Sequence, residues 1–240
     1  MIIYGRNPVR EALRGRRARN VGEVWATAGA AREPWLDAVA VRRVAAEEIE
    51  RRCGSSAHQG LCADAGPFHY ASADELLAGE DPLLVALDQI QDPQNLGSIC
   101  RTAECAGAAG VVIPERRAAE VTPAVCKASA GAVEHLRVAR VRNLADFLAD
   151  ARNAGCWCYG ASAAGIAGEP APVAYNEVDY GGSGVVLVLG SEGDGLRPRV
   201  AKACDQLISL PLLGRIESLG VSAAAAAALY EILQRHRRSP

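Results

Sequence analysis

Three stretches of this chain carry residue types whose spacing could support chemistry, and the first spans residues 92–105. It reads DPQNLGSICRTAEC and follows an apolar run, so a turn at Asp92 and a helix capped by Asn95 are predicted. On that helix Ser98 and Arg101 share a face. An arginine there can hold a phosphate or stabilise developing negative charge. A solvated arginine on an ordinary capped helix is the alternative that the residues leave open.

The second stretch, LGSEGDGL over residues 189–196, is rich in glycine and follows an apolar strand. Glycines let the backbone approach a ligand closely. The GxxGxG spacing differs from the GxGxxG pattern of dinucleotide sites, and Glu192 and Asp194 would repel a phosphate. These features disfavour a nicotinamide oxidoreductase and favour a neutral or cationic ligand, with a plain glycine-rich turn as the alternative.

The third stretch covers residues 208–231 and combines a strand end, a polar loop and an alanine-rich helix. The strand is expected to end at Pro211, and the helix to begin near Gly220 and run to about residue 237. Six consecutive alanines, residues 223–228, let that helix pack very closely against a neighbour. That neighbour is either another element of the chain or a second subunit.

The elements that must position these stretches are short apolar runs alternating with helical segments. The runs are residues 83–87, 110–114, 136–141, 156–161, 185–189 and 206–211. Near-continuous apolar strands that alternate with helices predict an α/β fold with a parallel sheet covered on both faces. Ligands bind such sheets beyond the carboxyl ends of the strands, which is where the three stretches lie.

The amino-terminal part predicts a separate, small α/β unit. Its expected elements are a helix that begins at Asn7 and Pro8, a strand over 21–26 and a helix over 33–54. We therefore expect one domain over residues 1–75, a linker over 76–82 and a second domain over 83–240.

The composition is that of a folded protein with balanced charge. Half of the residues are hydrophobic, and 26 basic against 28 acidic residues give a formal net charge of −2. That balance excludes a protein that coats nucleic acid nonspecifically. No apolar run is long enough to span a membrane and no signal peptide is recognisable, so a cytoplasmic protein without membrane contact is expected.

Cysteine and histidine spacing gives no sign of a metal site. The eight cysteines contain no CxxC pair and the four histidines no HxxxH, so we expect neither bound metal nor disulfides. The chain strongly prefers arginine over lysine, and a GC-rich genome is the simplest explanation of that preference. It does not explain why six arginines fall within the first twenty residues.

Taken together and in this order, the three stretches resemble the motifs of the SpoU/TrmH branch of the SPOUT RNA methyltransferases. The matching segments are NLGSICR (95–101), LGSEGDGL (189–196) and LPLLGRIESLGVS (210–222). The segments IYGRNPVREAL and HQGLCA resemble the substrate-binding domain of bacterial 23S rRNA guanosine-2′-O-methyltransferases, which is similar to ribosomal protein L30e. The resemblance implies a parallel-sheet SPOUT catalytic domain with a carboxyl-terminal trefoil knot, preceded by a small L30e-like domain.

The resemblance also implies the cofactor and the site. The cofactor is S-adenosylmethionine, and its expected binding residues are Ala161, Ser162, Leu189, Gly190, Gly193, Gly195, Leu210 and Leu219. The expected catalytic residues are Arg101, Asn95, Glu192 and Ser218. For RNA binding we expect the amino-terminal arginines Arg6, Arg14, Arg16 and Arg17.

The implied reaction is transfer of a methyl group to a ribose 2′-oxygen, in a guanosine of 23S rRNA, by a homodimer. A tRNA ribose methyltransferase and a non-catalytic RNA-binding or assembly factor are the alternatives. One residue departs from the family pattern, because Gly220 stands where the family has asparagine. Both residues adopt positive φ readily, so we expect the backbone of that loop to be retained.

Overall fold

The structure, a computed structural model, describes residues 1–163, 165, 170–216 and 219–236, and its strands form two sheets. The strands of the small sheet are β1 (Ile2–Tyr4), β2 (Val24–Ala26), β3 (Val41–Arg43) and β4 (Leu61–Asp64). Those of the large sheet are β5 (Leu83–Leu87), β6 (Gly110–Pro114), β7 (Arg137–Val141), β8 (Cys156–Ala161), β9 (Val173–Ala174), β10 (Gly184–Leu189) and β11 (Gln206–Ser209). The helices are α1 (Arg6–Ala12), α2 (Ala46–Cys53), α3 (Ala73–Leu77), α4 (Pro93–Cys105), α5 (Pro123–Ala128), α6 (Leu144–Asn153), α7 (Pro198–Ala203) and α8 (Val221–His236).

The small sheet is mixed, with the order β1-β4-β2-β3. Strand β4 pairs antiparallel with β1 and β2, whereas β3 pairs parallel with β2. The α/β character expected here is confirmed, but the helix predicted over 33–54 is wrong. Short 3-10 turns and β3 interrupt it, and α2 begins only at Ala46. Val41 lies beside Val24 in the sheet, so strand pairing of a β-branched residue overrides the helical pattern.

The large sheet has the order β7-β6-β5-β10-β8-β11-β9, and every neighbouring pair in it is parallel. Its central strands are buried on both faces. In β5, Leu83, Val85 and Leu87 pack into one hydrophobic core, whereas Leu84 and Ala86 pack into the other. The parallel sheet covered on both faces is therefore confirmed.

The register of the large sheet brings the ends of four strands to one level. Leu189 at the end of β10 lies beside Leu87 of β5 on one side and Ala161 of β8 on the other. Ala161 in turn lies beside Ile208 of β11. The segments that follow these strands therefore meet at one edge of the sheet.

Two helices begin earlier than predicted. Helix α1 begins at Arg6, directly after Gly5. Helix α4 begins at Pro93, because the side chain of Asp92 accepts a hydrogen bond from the N–H of Gln94 and forms the cap. Asn95 consequently lies in the first turn of α4 instead of capping it.

The cysteines behave as small apolar side chains. All eight are free thiols, and five of them are buried. Burial raises the pKa of Cys100 in α4 to about 12 and that of Cys126 in α5 to about 12, so both thiols stay protonated at neutral pH. No helix in the described part of the chain is both long enough and apolar enough to cross a bilayer.

Arg17 lies in the interior, where it joins the amino-terminal part to the large-sheet part. Its side chain is 4% exposed and pairs with Glu134, whose side chain is 0% exposed. The Nε of Arg17 donates to Oε2 of Glu134 at 2.8 Å, and the guanidinium lies over the ring of Phe68. The prediction that Arg17 contacts RNA is therefore wrong, because a buried guanidinium is held by its carboxylate partner. The other three arginines predicted to bind RNA are exposed, and their contact with RNA stays a prediction. They are Arg6, Arg14 and Arg16.

Removing one partner of this buried pair should destabilise the protein. We expect Glu134→Ala to lower the free energy of unfolding by about 3–5 kcal/mol, because the charge of Arg17 would remain buried without its partner. Urea unfolding measures the change. The control is Glu23→Ala, which removes the partner of Arg42 from an exposed pair and should cost about 1 kcal/mol or less. Equal stability of the two variants would contradict the role given to the buried pair.

Candidate active site

A cavity of about 380 Å³ lies beyond the carboxyl ends of β8, β10 and β11. Its size is within the range of small-molecule sites, roughly 300–1,000 Å³. The lining contains all eight residues predicted to bind the cofactor: Ala161, Ser162, Leu189, Gly190, Gly193, Gly195, Leu210 and Leu219. The structure therefore brings these residues together, and their contact with the cofactor stays a prediction. We call this space the first cavity.

The glycine loop, residues 190–195, forms one wall of the first cavity. Ser191 and Gly195 exchange two backbone hydrogen bonds of 3.0 and 3.1 Å, which close the loop on itself. Gly193 and Gly195 have φ values of +91° and +67°, in the region that side chains disfavour. A Cβ on Gly190 would lie only 2.1 Å from the carbonyl carbon of Gly195. Only glycine at position 190 therefore lets the loop fold back onto the strand end.

An ion pair with a buried carboxylate holds the glycine loop on the sheet, and sequence reasoning missed it. Asp88, the residue after β5, has a fully buried side chain. Its carboxylate accepts hydrogen bonds from the backbone N–H of Arg197 at 2.9 Å and from the Nε of Arg197 at 2.8 Å. The N–H of Asp88 donates to the carbonyl of Leu189 at 2.7 Å. The sequence signal for the pair was an acid directly after a buried strand and an arginine directly after the LGSEGDGL motif.

A second cavity, of about 280 Å³, adjoins the first. Asn95 from α4 and Glu192 from the glycine loop both line it. The two cavities share part of the glycine loop as a common wall: Ser191, Glu192 and Asp194. Two of the predicted catalytic residues are thus brought together beside the first cavity.

Arg101 lines neither of these cavities in this chain. It is exposed on α4 and lines a third cavity, of about 350 Å³, together with Arg10 of α1 and Ser129. Six helical positions separate it from Asn95, which turns the two side chains roughly 120° apart. The two residues therefore face different cavities. The fourth predicted catalytic residue, Ser218, lies outside the described residues.

Gly220 keeps the backbone conformation that the sequence predicts for it. Its φ is +76°, and its carbonyl accepts a hydrogen bond of 3.0 Å from the N–H of Ala224 in the first turn of α8. Gly220 therefore has the positive φ that both glycine and asparagine adopt readily, and its equivalence to the family's asparagine stays a prediction. Gly220 also lines the first cavity.

The lining of the first cavity fits a ligand that is partly apolar and carries positive charge. Leu189, Leu210 and Leu219 contribute apolar surface, and Glu192 and Asp194 contribute carboxylates. Neither lysine nor arginine is among its described lining residues. A phosphate would meet acids there without a cation, whereas the sulfonium of S-adenosylmethionine meets favourable charge. The described residues include no cluster of three or more His, Cys, Asp or Glu that could hold a metal.

Substituting Gly190 should damage the first cavity without unfolding the protein. In Gly190→Ala the new Cβ must displace the backbone at Gly195, so we expect binding of S-adenosylmethionine to weaken about tenfold or more. Isothermal titration calorimetry measures the affinity. The control is Gly29→Ala, where a Cβ meets nothing within 4 Å. Wild-type affinity in Gly190→Ala would show that the loop does not shape the cofactor site.

Comparison with known proteins matches the chain to two protein families in succession. The SpoU rRNA Methylase family matches residues 82–230, and the RNA 2′-O ribose methyltransferase substrate-binding family matches residues 2–71. Among curated proteins, a putative TrmH family tRNA/rRNA methyltransferase of Bacillus subtilis, YacO, is 42% identical over 188 residues. That alignment covers 76% of this chain and 72% of YacO.

Solved structures with S-adenosylmethionine bound are similar to this one over nearly the whole chain. The rRNA methyltransferase from Sinorhizobium meliloti has a TM-score of 0.76 at 26% identity, covering 97% of this chain and 86% of its own. The SpoU methyltransferase AviRb from Streptomyces viridochromogenes shares the fold, with a TM-score of 0.80 at 24% identity and coverage of 100% and 91%. Since the first family match alone spans more than half of the sequence, the chain belongs to the SpoU rRNA methylase family and is an S-adenosylmethionine-dependent RNA methyltransferase.

Proposed function

We propose that this enzyme methylates the 2′-oxygen of a ribose, in a guanosine of 23S rRNA. The observation that carries the proposal is the wall shared by the first and second cavities, because an acceptor group bound in the second cavity would lie directly beside a methyl donor bound in the first. Residues 2–71, which match a family that binds the substrate of RNA ribose methyltransferases, support an RNA that reaches beyond the catalytic site. The rRNA methyltransferase from Sinorhizobium meliloti matches across both parts of the chain, which favours rRNA over tRNA.

The first cavity is the proposed cofactor site. Leu210 and Leu219 offer apolar surface to the adenine, and backbone groups next to Gly190 can bind its polar edge. When bound, S-adenosylmethionine supplies an electrophilic methyl group. The carboxylate of Glu192 adds negative charge at the wall that separates this ligand from the second cavity.

The second cavity is the proposed site of the acceptor ribose. A ribose hydroxyl is a weak nucleophile, so much of the acceleration must come from holding it in line and away from water. The amide of Asn95 can donate a hydrogen bond to a ribose oxygen, and the carboxylate of Glu192 can accept one from the 2′-hydroxyl. Ser218 completes the proposed catalytic set through its place in the SLGVS motif.

Arg101 is proposed to clamp a phosphate of the RNA. A guanidinium, with a pKa above about 12, stays charged at neutral pH and is therefore unsuited to accept the proton of the hydroxyl. Arg101 is exposed and shares its cavity with Arg10, so two guanidinium groups from different parts of the chain face one space. Arg10 is paired with Glu11 at 2.7 Å, so Arg101 is the arginine of this cavity that we propose contacts a phosphate.

A homodimer is part of the proposal. Three large apolar side chains on or before α8 are strongly exposed: Leu213 at 97%, Ile216 at 76% and Tyr230 at 45%. Such a concentration of exposed apolar surface near one helix favours burial against another protein surface.

Three further expectations stay predictions, and all of them fit an RNA enzyme of this family. They are the domain division at residues 75 and 83, the trefoil knot within 83–240 and a cytoplasmic location.

Transfer of a labelled methyl group tests the proposed function. Purified enzyme and labelled S-adenosylmethionine are incubated with total RNA from a strain that lacks the enzyme, and the RNA is then separated by size. Label in 23S rRNA, recovered as 2′-O-methylguanosine after digestion, is the expected result. Label in tRNA would favour the tRNA alternative, and no label in any RNA would favour a non-catalytic RNA-binding factor.

Removal of the Arg101 side chain should abolish methyl transfer or slow it greatly, and should leave cofactor binding unchanged. We expect Arg101→Ala to slow methyl transfer by about 100-fold or more, because a preorganised charge on the substrate is lost. Affinity for S-adenosylmethionine should stay unchanged, since Arg101 does not line the first cavity. Arg137→Ala, an exposed arginine at the start of β7, is the matched control. Full activity of Arg101→Ala would refute its assignment.

A further inference from the structure

A separate cleft lies at the carboxyl ends of β6 and β7, outside the three cavities described above. Its volume is about 710 Å³. Arg116 follows the end of β6 and Arg142 follows β7 directly, and both line the cleft. The sheet order β7-β6-β5-β10 places these strand ends on the same edge as the first and second cavities. We call this space the arginine cleft.

A third arginine of the cleft, Arg140, is held in place by its neighbours. Its Nη2 donates to the carbonyl of Glu115 at 3.2 Å and pairs with the carboxylate of Glu120 at 3.1 Å. Its guanidinium also lies 5.3 Å from the ring centre of Tyr70. Arg140 therefore braces the segment that follows β6 and is engaged within the protein.

Arg116 and Arg142 have no such restraint. Both are exposed, and neither forms an ion pair within 4.0 Å with any acid in the described part of the chain. Two exposed guanidinium groups on a strand-end edge are well suited to phosphate groups, which they can bind with two parallel hydrogen bonds. They are free to bind a partner that the chain itself does not supply.

The backbone at this edge is strained in the way that functional sites often are. Gln89, just after β5, has φ +63°, and Arg117, just after β6, has φ +58°. A residue other than glycine in this region costs of order 1 kcal/mol or more, and such strain concentrates at binding and catalytic sites. The two strained positions follow adjacent strands, and Gln89 lines the second cavity.

The spacing of the strands relates the arginine cleft to the proposed acceptor site. Neighbouring strands lie about 4.8 Å apart, so the end of β6 is roughly 5 Å and the end of β7 roughly 10 Å from the end of β5. The second cavity begins at the end of β5, with Gln89 in its lining. One strand of a DNA duplex carries a phosphate about every 3.4 Å along the helix axis, so at a comparable spacing roughly 5–10 Å corresponds to about one to three nucleotides.

We propose that Arg116 and Arg142 bind backbone phosphates of the RNA on nucleotides that flank the methylated one. The inference rests on the proposed function, because it takes RNA as the substrate. Three acids also line the cleft: Glu115, Asp146 and Asp150. Asp146 pairs with Arg199 at 2.9 Å, and the acids together keep the net charge of the cleft low. The cleft therefore suits contact with a few phosphates of a docked RNA and not nonspecific retention.

The salt dependence of RNA binding tests the proposal. The Arg116→Ala/Arg142→Ala variant is compared with wild type and with the control variant Arg137→Ala. Arg137 begins β7, whereas Arg142 follows the other end of that strand. The probe is unmodified 23S rRNA transcribed in vitro, with a tRNA transcript in parallel, and binding is measured over a series of salt concentrations. We expect the slope of log K against log salt to fall in magnitude by about 1.4–1.8 in the double variant, because two phosphate contacts are lost. The KM for RNA should rise, and affinity for S-adenosylmethionine should not change.

The outcomes separate this proposal from the proposed function. If the double variant and Arg137→Ala bind the transcripts with the same slope and affinity, the arginine cleft does not contact phosphates and the proposal is overturned. If wild type transfers no methyl group to any RNA but the slope still falls in the double variant, the proposed function fails and the phosphate contacts stand. A fall in slope without a change in the thermal unfolding midpoint excludes loss of folding as its cause.

Discussion

The ion pair between the buried carboxylate of Asp88 and the half-exposed guanidinium of Arg197 is the interaction on which the candidate active site depends. A carboxylate with no solvent exposure is stable only with full hydrogen bonding, and Asp88 obtains it from the backbone and the side chain of Arg197. The same residue donates its N–H to Leu189, so the end of β5 is tied to both ends of the glycine loop. The wall common to the first and second cavities is held by this arrangement.

The parallel register of the strands places this loop beside the ends of neighbouring strands, and together they form the candidate site. Because Leu87, Leu189 and Ala161 end their strands at the level of Ile208, one residue before the end of β11, the segments that follow these strands form a continuous rim. Acidic and apolar residues surround the first cavity, whereas exposed arginines lie further along the edge at the ends of β6 and β7. The rim thus offers carboxylates and apolar surface to a cationic donor at one end, and two exposed guanidinium groups to phosphates at the other.

Sequence reasoning succeeded where a local pattern determines the structure and failed where distant partners do. The positive φ of Gly220 follows from a short motif, whereas the grouping of the glycine loop with Leu210 was implied by the resemblance to a known family. The helix predicted over 33–54 failed because Val41 pairs with a strand seventeen residues earlier, at Val24. Arg17 was misjudged because its partner, Glu134, is more than 100 residues away in the chain. Asp88 was missed for the same reason, since its partner is Arg197.

Three strand-end segments form the first cavity, and we propose that it binds S-adenosylmethionine before any RNA is bound. A crystal structure of the protein with S-adenosylmethionine would show where the ligand lies. We expect the ligand between the glycine loop and Leu210 and Leu219, with the bonds between Asp88 and Arg197 unchanged. Density for the ligand elsewhere, or a glycine loop that releases Asp88 on binding, would contradict it.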